Sequence, residues 1–369
     1  MSEGQALKVL VVDDTVVFRK IVAEGLAELP HVEVVGTANN GKIAISKIER
    51  LTPDLLILDI EMPVMNGLEV LTYIRKEFPN VGAIVLSTLT QKGGEITLKA
   101  LELGAFDFIP KPKDGTMAEN RERIRDTLAP MLRAFVRRVQ ITNILKGKEY
   151  PPSKAREPQR GSAGVVQRMR TAAGQKRTKS ELIGIGISTG GPNALAEMLP
   201  QLPSDLDVPI VIVQHMPPIF TQSLAVSLNS KCAIEVKEAV DGHPLQPNTA
   251  LIAPGGKHMK VVAGADGKNR IIRITNDPPE NNCKPSVNYL FRSISQHYVG
   301  RATGVIMTGM GSDGTIGLKL MKRNGAIVIA QDEASSVVFG MPKEPIEAGI
   351  VDVIAPLNKI AEEICRTVR

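Results

Sequence analysis

Residues Glu181–Pro192 read ELIGIGISTGGP. The run Leu182–Ile187 is apolar and isoleucine-rich, so it reads as a buried strand. Ser188-Thr189-Gly190-Gly191 then breaks it, and Pro192 suits the first turn of a helix. Strand, turn and helix in that order are the repeating unit of an α/β fold. The unit also leaves a serine hydroxyl at the carboxyl end of a strand, beside the N–H groups that open a helix. A nucleophile and the oxyanion it creates need those two features together. Two other readings fit the same letters: a plain tight turn, and a loosened dinucleotide loop built on Gly184, Gly186 and Gly190.

Downstream of this unit the alternation continues. PIVIVQ (209–214) is a second buried strand with His215 directly after it, and Phe220–Leu228 reads as a helix. Shorter strands are expected at 233–239, 250–254, 258–263 and 270–275, with a helix over Pro285–His297. TGVIMT (303–308) is another buried strand and runs into Gly309-Met310-Gly311-Ser312-Asp313-Gly314. Helix Ile316–Arg323, strand 326–330 and helix Leu357–Val368 complete the half. Ser188, His215 and Asp313 thus each follow an apolar strand. In a parallel sheet those loops share one edge, where a serine, a histidine and an aspartate can meet as a triad. His215 would take the Ser188 proton, Asp313 would hold the other ring nitrogen, and the N–H groups around Thr189 and Gly190 are candidate oxyanion donors. His31 lies in the other half of the chain, His243 in a turn, His258 at a strand start and His297 late in a helix, so His215 is the best placed. An α/β-hydrolase needs its histidine after its acid, and no histidine follows Asp313. Asp205 and Asp207 precede the second strand, whereas a ribose-binding acid should end it, which weakens the dinucleotide reading.

The first third alternates too. Strands KVLVVDD (8–14), VEVVGTA (32–38), DLLILDI (54–60), GAIVLST (82–88) and FDFIPKP (106–112) are separated by helices at Thr15–Leu29, Lys42–Leu51, Leu68–Glu77 and Gly94–Leu103, with another from Met117. A (βα)₅ pattern of this kind predicts a doubly wound parallel sheet whose strand ends form a ligand crevice. Those ends supply Asp13, Asp14, Asp59, Ser87 or Thr88, and Lys111. Three convergent carboxylates need a cation, and an all-oxygen set suits Mg²⁺ better than zinc. A lysine and a hydroxyl opposite them would bind phosphoryl oxygens, which points to phosphorylation of a carboxylate, with Asp59 central.

The chain has 369 residues, 43% of them hydrophobic and 23% charged, enough for two or three globular domains. No apolar run reaches membrane-spanning length and the start carries no apolar signal core, so a soluble, cytoplasmic protein without direct membrane insertion is expected. Cys232, Cys283 and Cys365 are too widely spaced for a disulfide framework or a zinc pattern and read as reduced bystanders. The net charge of +6 is local: residues 146–180 hold ten Lys/Arg and two Asp/Glu, +8 in sum, leaving −2 for the rest. After a helical extension over Arg121–Leu145, interrupted near Pro130, this basic Pro/Gly/Ser-rich stretch reads as a flexible linker. Apart from Tyr150 no aromatics interleave its charges for base stacking, and nucleic acid is not an expected partner.

VVDD, LDIEMPVMNGLEVL and FIPKP resemble the receiver domain of two-component response regulators over residues 7–125. The resemblance implies Asp59 as phospho-acceptor and Mg²⁺ on Asp13, Asp14, Asp59 and the Glu61 carbonyl. It also implies Ser87 and Lys111 as the phosphoryl switch, and a cis Lys111–Pro112 peptide. GIGISTGGP, VIVQHMPPIFTQSLA, ALIAPGGKHM, KPSVNYLFRSIS, GVIMTGMGSDG and QDEASSVVFGMPKEPIEAG are similar to chemotaxis protein-glutamate methylesterases over 181–369, with 126–180 as extension and linker. That resemblance implies a three-layer α/β/α domain with a mostly parallel sheet and the triad Ser188, His215, Asp313, with no cofactor in that half. The implied activity is hydrolysis of glutamyl methyl esters on methyl-accepting chemotaxis receptors, releasing methanol, together with deamidation of receptor glutamines. A chemotaxis histidine kinase would be the phosphodonor. Joining the two domains suggests that the unphosphorylated receiver covers the Ser188 crevice and that phosphorylation uncovers it. The competing expectation is a partner-binding regulator whose hydrolase-like domain is catalytically silent. Asn288 stands where the family often has aspartate, and STLT where it usually has SSLT.

Overall fold

The computed structural model describes residues 6–146, 167–168 and 178–369. The chain divides into two compact units, Met1–Glu149 and Tyr150–Arg369. Most of the stretch read as linker, 147–166 and 169–177, lies outside the described residues.

In the first unit β1 (Leu7–Val12), α1 (Val16–Ala27), β2 (Val32–Ala38), α2 (Gly41–Leu51), β3 (Leu55–Asp59), α3 (Gly67–Glu77), β4 (Gly82–Ser87), α4 (Gln91–Glu102), β5 (Asp107–Pro110) and α5 (Met117–Lys146) alternate. The strands form one parallel sheet in the order β2-β1-β3-β4-β5. Residues of β1, β3 and β4 are almost all buried, as a sheet covered on both faces requires. The sheet reverses its order between β1 and β3, where ligands bind in such folds. Val12 pairs with Leu58, so the next residues, Asp13 and Asp59, lie side by side at that point.

Two expectations fail in this unit. Lys111–Pro112 is trans, the lower-energy form of an X–Pro bond, and among the described residues the cis peptide is Lys284–Pro285. Helix α5 is not interrupted at Pro130 but carries it inside. A helix-interior proline costs about 3 kcal/mol. On either side of it Leu128, Met131, Leu132 and Phe135 are buried, and Phe135 meets the Phe106 ring edge-on at 5.4 Å. Burying side chains of this size yields about 1.5–3 kcal/mol each, so packing outweighs the break.

The second unit comprises β6 (Gln167–Arg168), β7 (Leu182–Ile187), α6 (Gly191–Met198), β8 (Ile210–Gln214), α7 (Phe220–Asn229), β9 (Glu235–Glu238), β10 (Thr249–Ile252), β11 (His258–Ala263), β12 (Arg270–Thr275), α8 (Val287–His297), β13 (Ala302–Ile306), α9 (Thr315–Arg323), β14 (Ile327–Gln331), α10 (Lys343–Glu347), β15 (Val353–Ala355) and α11 (Leu357–Val368). Its main sheet runs β6-β15-β14-β13-β7-β8-β10-β9 and is parallel apart from the β6 edge strand, while β11 and β12 form an antiparallel hairpin. Helix α10 and strand β15, three to five residues each, were not anticipated; elements this short carry no readable period.

The alternation of isoleucine and glycine in β7 sets the layers. A Cβ on Gly184 or Gly186 would run into Phe291, Ile294 or Val287, so α8 lies directly against that face of the strand. Ile187 points to the opposite face and touches Gly191, the start of α6. Helices therefore cover both faces of a mostly parallel sheet, in three layers.

Candidate functional site

Strand β7 sits between β13 and β8, with Gly186 paired to Ile306 and Ile187 paired to Gln214. The carboxyl ends of the three strands are thus level, at the point where the sheet changes direction. The Ser188 N–H donates to the Thr308 carbonyl (2.9 Å) and the His215 N–H to the Ile187 carbonyl (3.1 Å), so both residues are anchored to the same rim.

Asp313 reaches this rim from the loop after β13 and is 3% exposed. His215 Nε2 lies 2.9 Å from its Oδ2. The carboxylate also accepts from the Val287 N–H (2.7 Å), the Asn288 N–H (3.1 Å) and the Ser286 hydroxyl (3.0 Å). Those are the opening donors of α8, which have no partner within their own helix and favour an anion. The favour is returned: Asn288 Oδ1 accepts from the Gly314 N–H (3.1 Å) and the Gly317 N–H (2.8 Å) at the start of α9. The first turn of each helix is therefore hydrogen-bonded by a side chain from the other helix or from the loop leading into it. Burial would raise the Asp313 pKa, but His215 and these N–H groups hold it below the ordinary value. For His215 burial works downward, and the hydrogen bond and charge of Asp313, with the Cys283 sulfur, reverse it and push the imidazole up to about 9.

With Nε2 committed to Asp313, the nitrogen left for proton transfer is Nδ1. Among the described residues Ser188 Oγ makes no direct hydrogen bond to it, a common state before substrate draws catalytic groups together. Nδ1 instead faces Cys283 Sγ at 3.8 Å. Composition alone had left that cysteine a bystander. Asn281 and Asn282 both adopt positive φ (53° and 58°), and Glu280 and Cys283 exchange backbone hydrogen bonds across them (3.2 and 2.9 Å). This is a two-residue turn of the type Asn favours, and the Asn-Asn pair was the signal that could have located the thiol.

Around Ser188, the Gly191 N–H is spent on the Ser188 carbonyl (2.7 Å). Gly190 sits at φ 74°, in the left-handed region. Among the described residues the N–H groups of Thr189 and Gly190 have no protein acceptor. Gly309 passes so close that a Cβ on it would meet Ser188 Cβ and Met341 Sδ. His258, fully buried, takes no part at the rim: its Nε2 donates to the Pro278 carbonyl (3.0 Å), its Nδ1 accepts from the Ser286 N–H (3.2 Å), and its ring stacks on Tyr289. It braces the residue that caps α8. His243 Nδ1 accepts from the Val240 N–H in its turn.

The crevice of the first unit brings together Asp13, Asp14 and Asp59, whose carboxylate oxygens lie within 4.8 Å of one another. Lys111 Nζ is 2.7 Å from both Asp13 Oδ2 and Asp59 Oδ2. The ammonium contact does not give Asp13 Oδ2, which is fully buried, a well-directed hydrogen bond. An all-oxygen cluster of this kind, with a buried oxygen that lacks a well-directed donor, suits a hard divalent cation. Burial raises the Asp59 pKa to about 6 against the pull of Lys111. Ser87 and Thr88 line the same cleft as Asp59 and Glu61. Ser87 Oγ accepts from Thr97 Oγ1 (2.5 Å), whereas Thr88 Oγ1 donates to Glu61 Oε2 (3.0 Å).

Among the described residues no helix is long and apolar enough to cross a membrane. Residues 183–364 match the CheB methylesterase family and residues 9–122 the response regulator receiver domain. The chain is 53% identical over 364 residues to a protein-glutamate methylesterase/protein-glutamine glutaminase of Desulfotalea psychrophila, covering 98% of this chain and 99% of that one. It is 43% identical over 363 residues to the protein of the same name from Trichodesmium erythraeum, again covering 98% and 99%. Among solved structures, the Thermotoga maritima CheB methylesterase catalytic domain is 40% identical, with a TM-score of 0.49, over 51% of this chain and 99% of that one. A receiver domain followed by a methylesterase domain, matched end to end at 53% and 43% identity by these two relatives, places the chain in the protein-glutamate methylesterase/protein-glutamine glutaminase family.

Proposed function

We propose that the chain is a phosphorylation-activated serine esterase that hydrolyses glutamyl methyl esters on methyl-accepting chemotaxis receptors and deamidates receptor glutamines in the cytoplasm. The observation that carries this is the His215–Asp313 pair, fixed by the N-terminus of α8 and set at the same sheet edge as Ser188. Ser188 Oγ attacks the ester carbonyl while His215 Nδ1 takes its proton. The Thr189 and Gly190 N–H groups, which have no other acceptor among the described residues, receive the oxyanion. Nδ1–H then protonates the departing methoxide, giving methanol and an acyl-enzyme. Water attacks the acyl carbon, gives its proton to Nδ1, and Ser188 leaves with that proton as the glutamate is released. For a glutamine the same steps release ammonia. Asp313 keeps the ring in orientation and stabilises its charged form.

In the first unit Asp59 would accept the phosphoryl group from a chemotaxis histidine kinase. Mg²⁺ would be held by Asp13, Asp14, Asp59 and the Glu61 carbonyl, supplying charge neutralisation for the transfer. Ser87 and Lys111 would bind the phosphoryl oxygens. The test is methanol release from methylated receptor membranes with and without a small phosphodonor and Mg²⁺. Wild type should respond to the donor, Asp59→Ala should not, and Ser188→Ala should release nothing while unfolding at the wild-type temperature. Substantial release by Ser188→Ala would refute the nucleophile, and donor-responsive Asp59→Ala would refute the switch.

A further inference from the structure

We propose that His215 Nδ1 and Cys283 Sγ form an inhibitory site for a borderline-soft divalent cation such as zinc, with Asp313 as the carboxylate that orients the ligating imidazole. A tetrahedral zinc bound by an imidazole nitrogen at about 2.0 Å and a thiolate at about 2.3 Å keeps those two atoms about 3.5 Å apart. Here they are 3.8 Å apart. The second requirement of a histidine–metal site is a partner on the other ring nitrogen, and Asp313 provides it at 2.9 Å. Neither donor has to be recruited. Asp313 is itself held by α8, and the doubly bonded turn at Asn281–Asn282 presents Cys283 from a fixed backbone. Cys283 is part-exposed, so water can fill the remaining coordination positions.

A nitrogen–sulfur pair selects zinc or cobalt over magnesium, so the ion that suits the Asp13–Asp14–Asp59 crevice is not a competitor here. On binding, the thiol of Cys283 and the Nδ1 of a protonated His215 each release a proton to solvent, so acid disfavours the metal. With the metal on it, Nδ1 cannot accept the Ser188 proton. That inhibition rests on the esterase reading; the site itself does not.

The test uses the full chain with Cys232→Ser and Cys365→Ser, leaving Cys283 as the one thiol. Cobalt(II) added alone should give a thiolate-to-cobalt charge-transfer band that zinc abolishes and magnesium leaves intact. Cys283→Ser in the same background should lose the band. Asp313→Asn should keep the band but bind cobalt about 10- to 100-fold more weakly, as loss of an orienting carboxylate does. In parallel, zinc should inhibit methanol release at least about tenfold more potently when Cys283 is present, each variant being scaled to its own metal-free rate. Absence of the band with Cys283 in place, an equal band in Cys283→Ser, or equal zinc inhibition of both would overturn the proposal. A cobalt band without methanol release under any condition would sustain the site and defeat the esterase reading.

Discussion

The protonated His215–Asp313 pair makes stability fall as pH rises. The imidazole is held at about 9 in the folded chain against an ordinary value of 6.5, so folding is linked to a proton by 9 − 6.5 = 2.5 pH units. At 1.36 kcal/mol per unit this is about 3 kcal/mol. Because the folded value is the raised one, that stability is fully present below pH 6.5 and is lost as pH climbs through 9. The side chain is 15% exposed, so solvent screening removes little of it. For a unit of this size about 3 kcal/mol corresponds to about 6–12 °C in Tm. Calorimetry of the full chain between pH 6 and 10 would read the decline, and His215→Gln is the comparison that cancels every other titrating group. In that variant Asp313 keeps the Val287, Asn288 and Ser286 donors, so the fold survives. Parallel decline of wild type and His215→Gln would show that the pair stores no proton linkage, and the reasoning would fail.

The same charged resting state predicts that kcat/KM for methanol release rises by about tenfold per pH unit from pH 7 and levels near 9, as the base form of His215 becomes populated; a flat profile over that range would contradict it. Gly309→Ala directs a methyl at Ser188 Cβ and Met341 Sδ, and displacement of the nucleophile should cost kcat about a hundredfold with little change in KM; wild-type kcat would mean the loop yields freely. Asn288→Ala strips the Gly314 and Gly317 N–H groups of their acceptor, and chemical denaturation should register a loss of about 1–3 kcal/mol. An unchanged midpoint would show that water replaces the amide.

What could be read from the letters alone was whatever a buried strand writes into them. The runs Leu182–Ile187, 209–214 and 303–308 are apolar because helices cover both faces, and the residue that ends such a run must lie at the sheet edge. Ser188 and His215 were legible for that reason, as were Asp13 and Asp59. Asp313 was legible as a loop residue, but its second duty as the cap of α8 was not, since that depends on where a helix beginning 26 residues upstream is laid down. Cys283 was missed because its place is set by a turn and a neighbouring chain segment, not by any period. The uninterrupted α5 shows the opposite error: a strong local rule about proline gave way to the burial of Leu128, Met131 and Leu132 around it.

The exchange of hydrogen bonds between Asp313 and Asn288 ties the aspartate of the proposed triad to two helix starts at once. The His215 side chain is held by Asp313, and the Ser188 side chain makes no hydrogen bond among the described residues; removing the Asp313 carboxylate, by contrast, exposes the first turn of α8. Lineages of this domain that abandon hydrolysis and persist as binding modules should therefore shed the serine first and keep the aspartate. An aspartate surviving there marks a scaffold, and only the serine beside it marks a living enzyme.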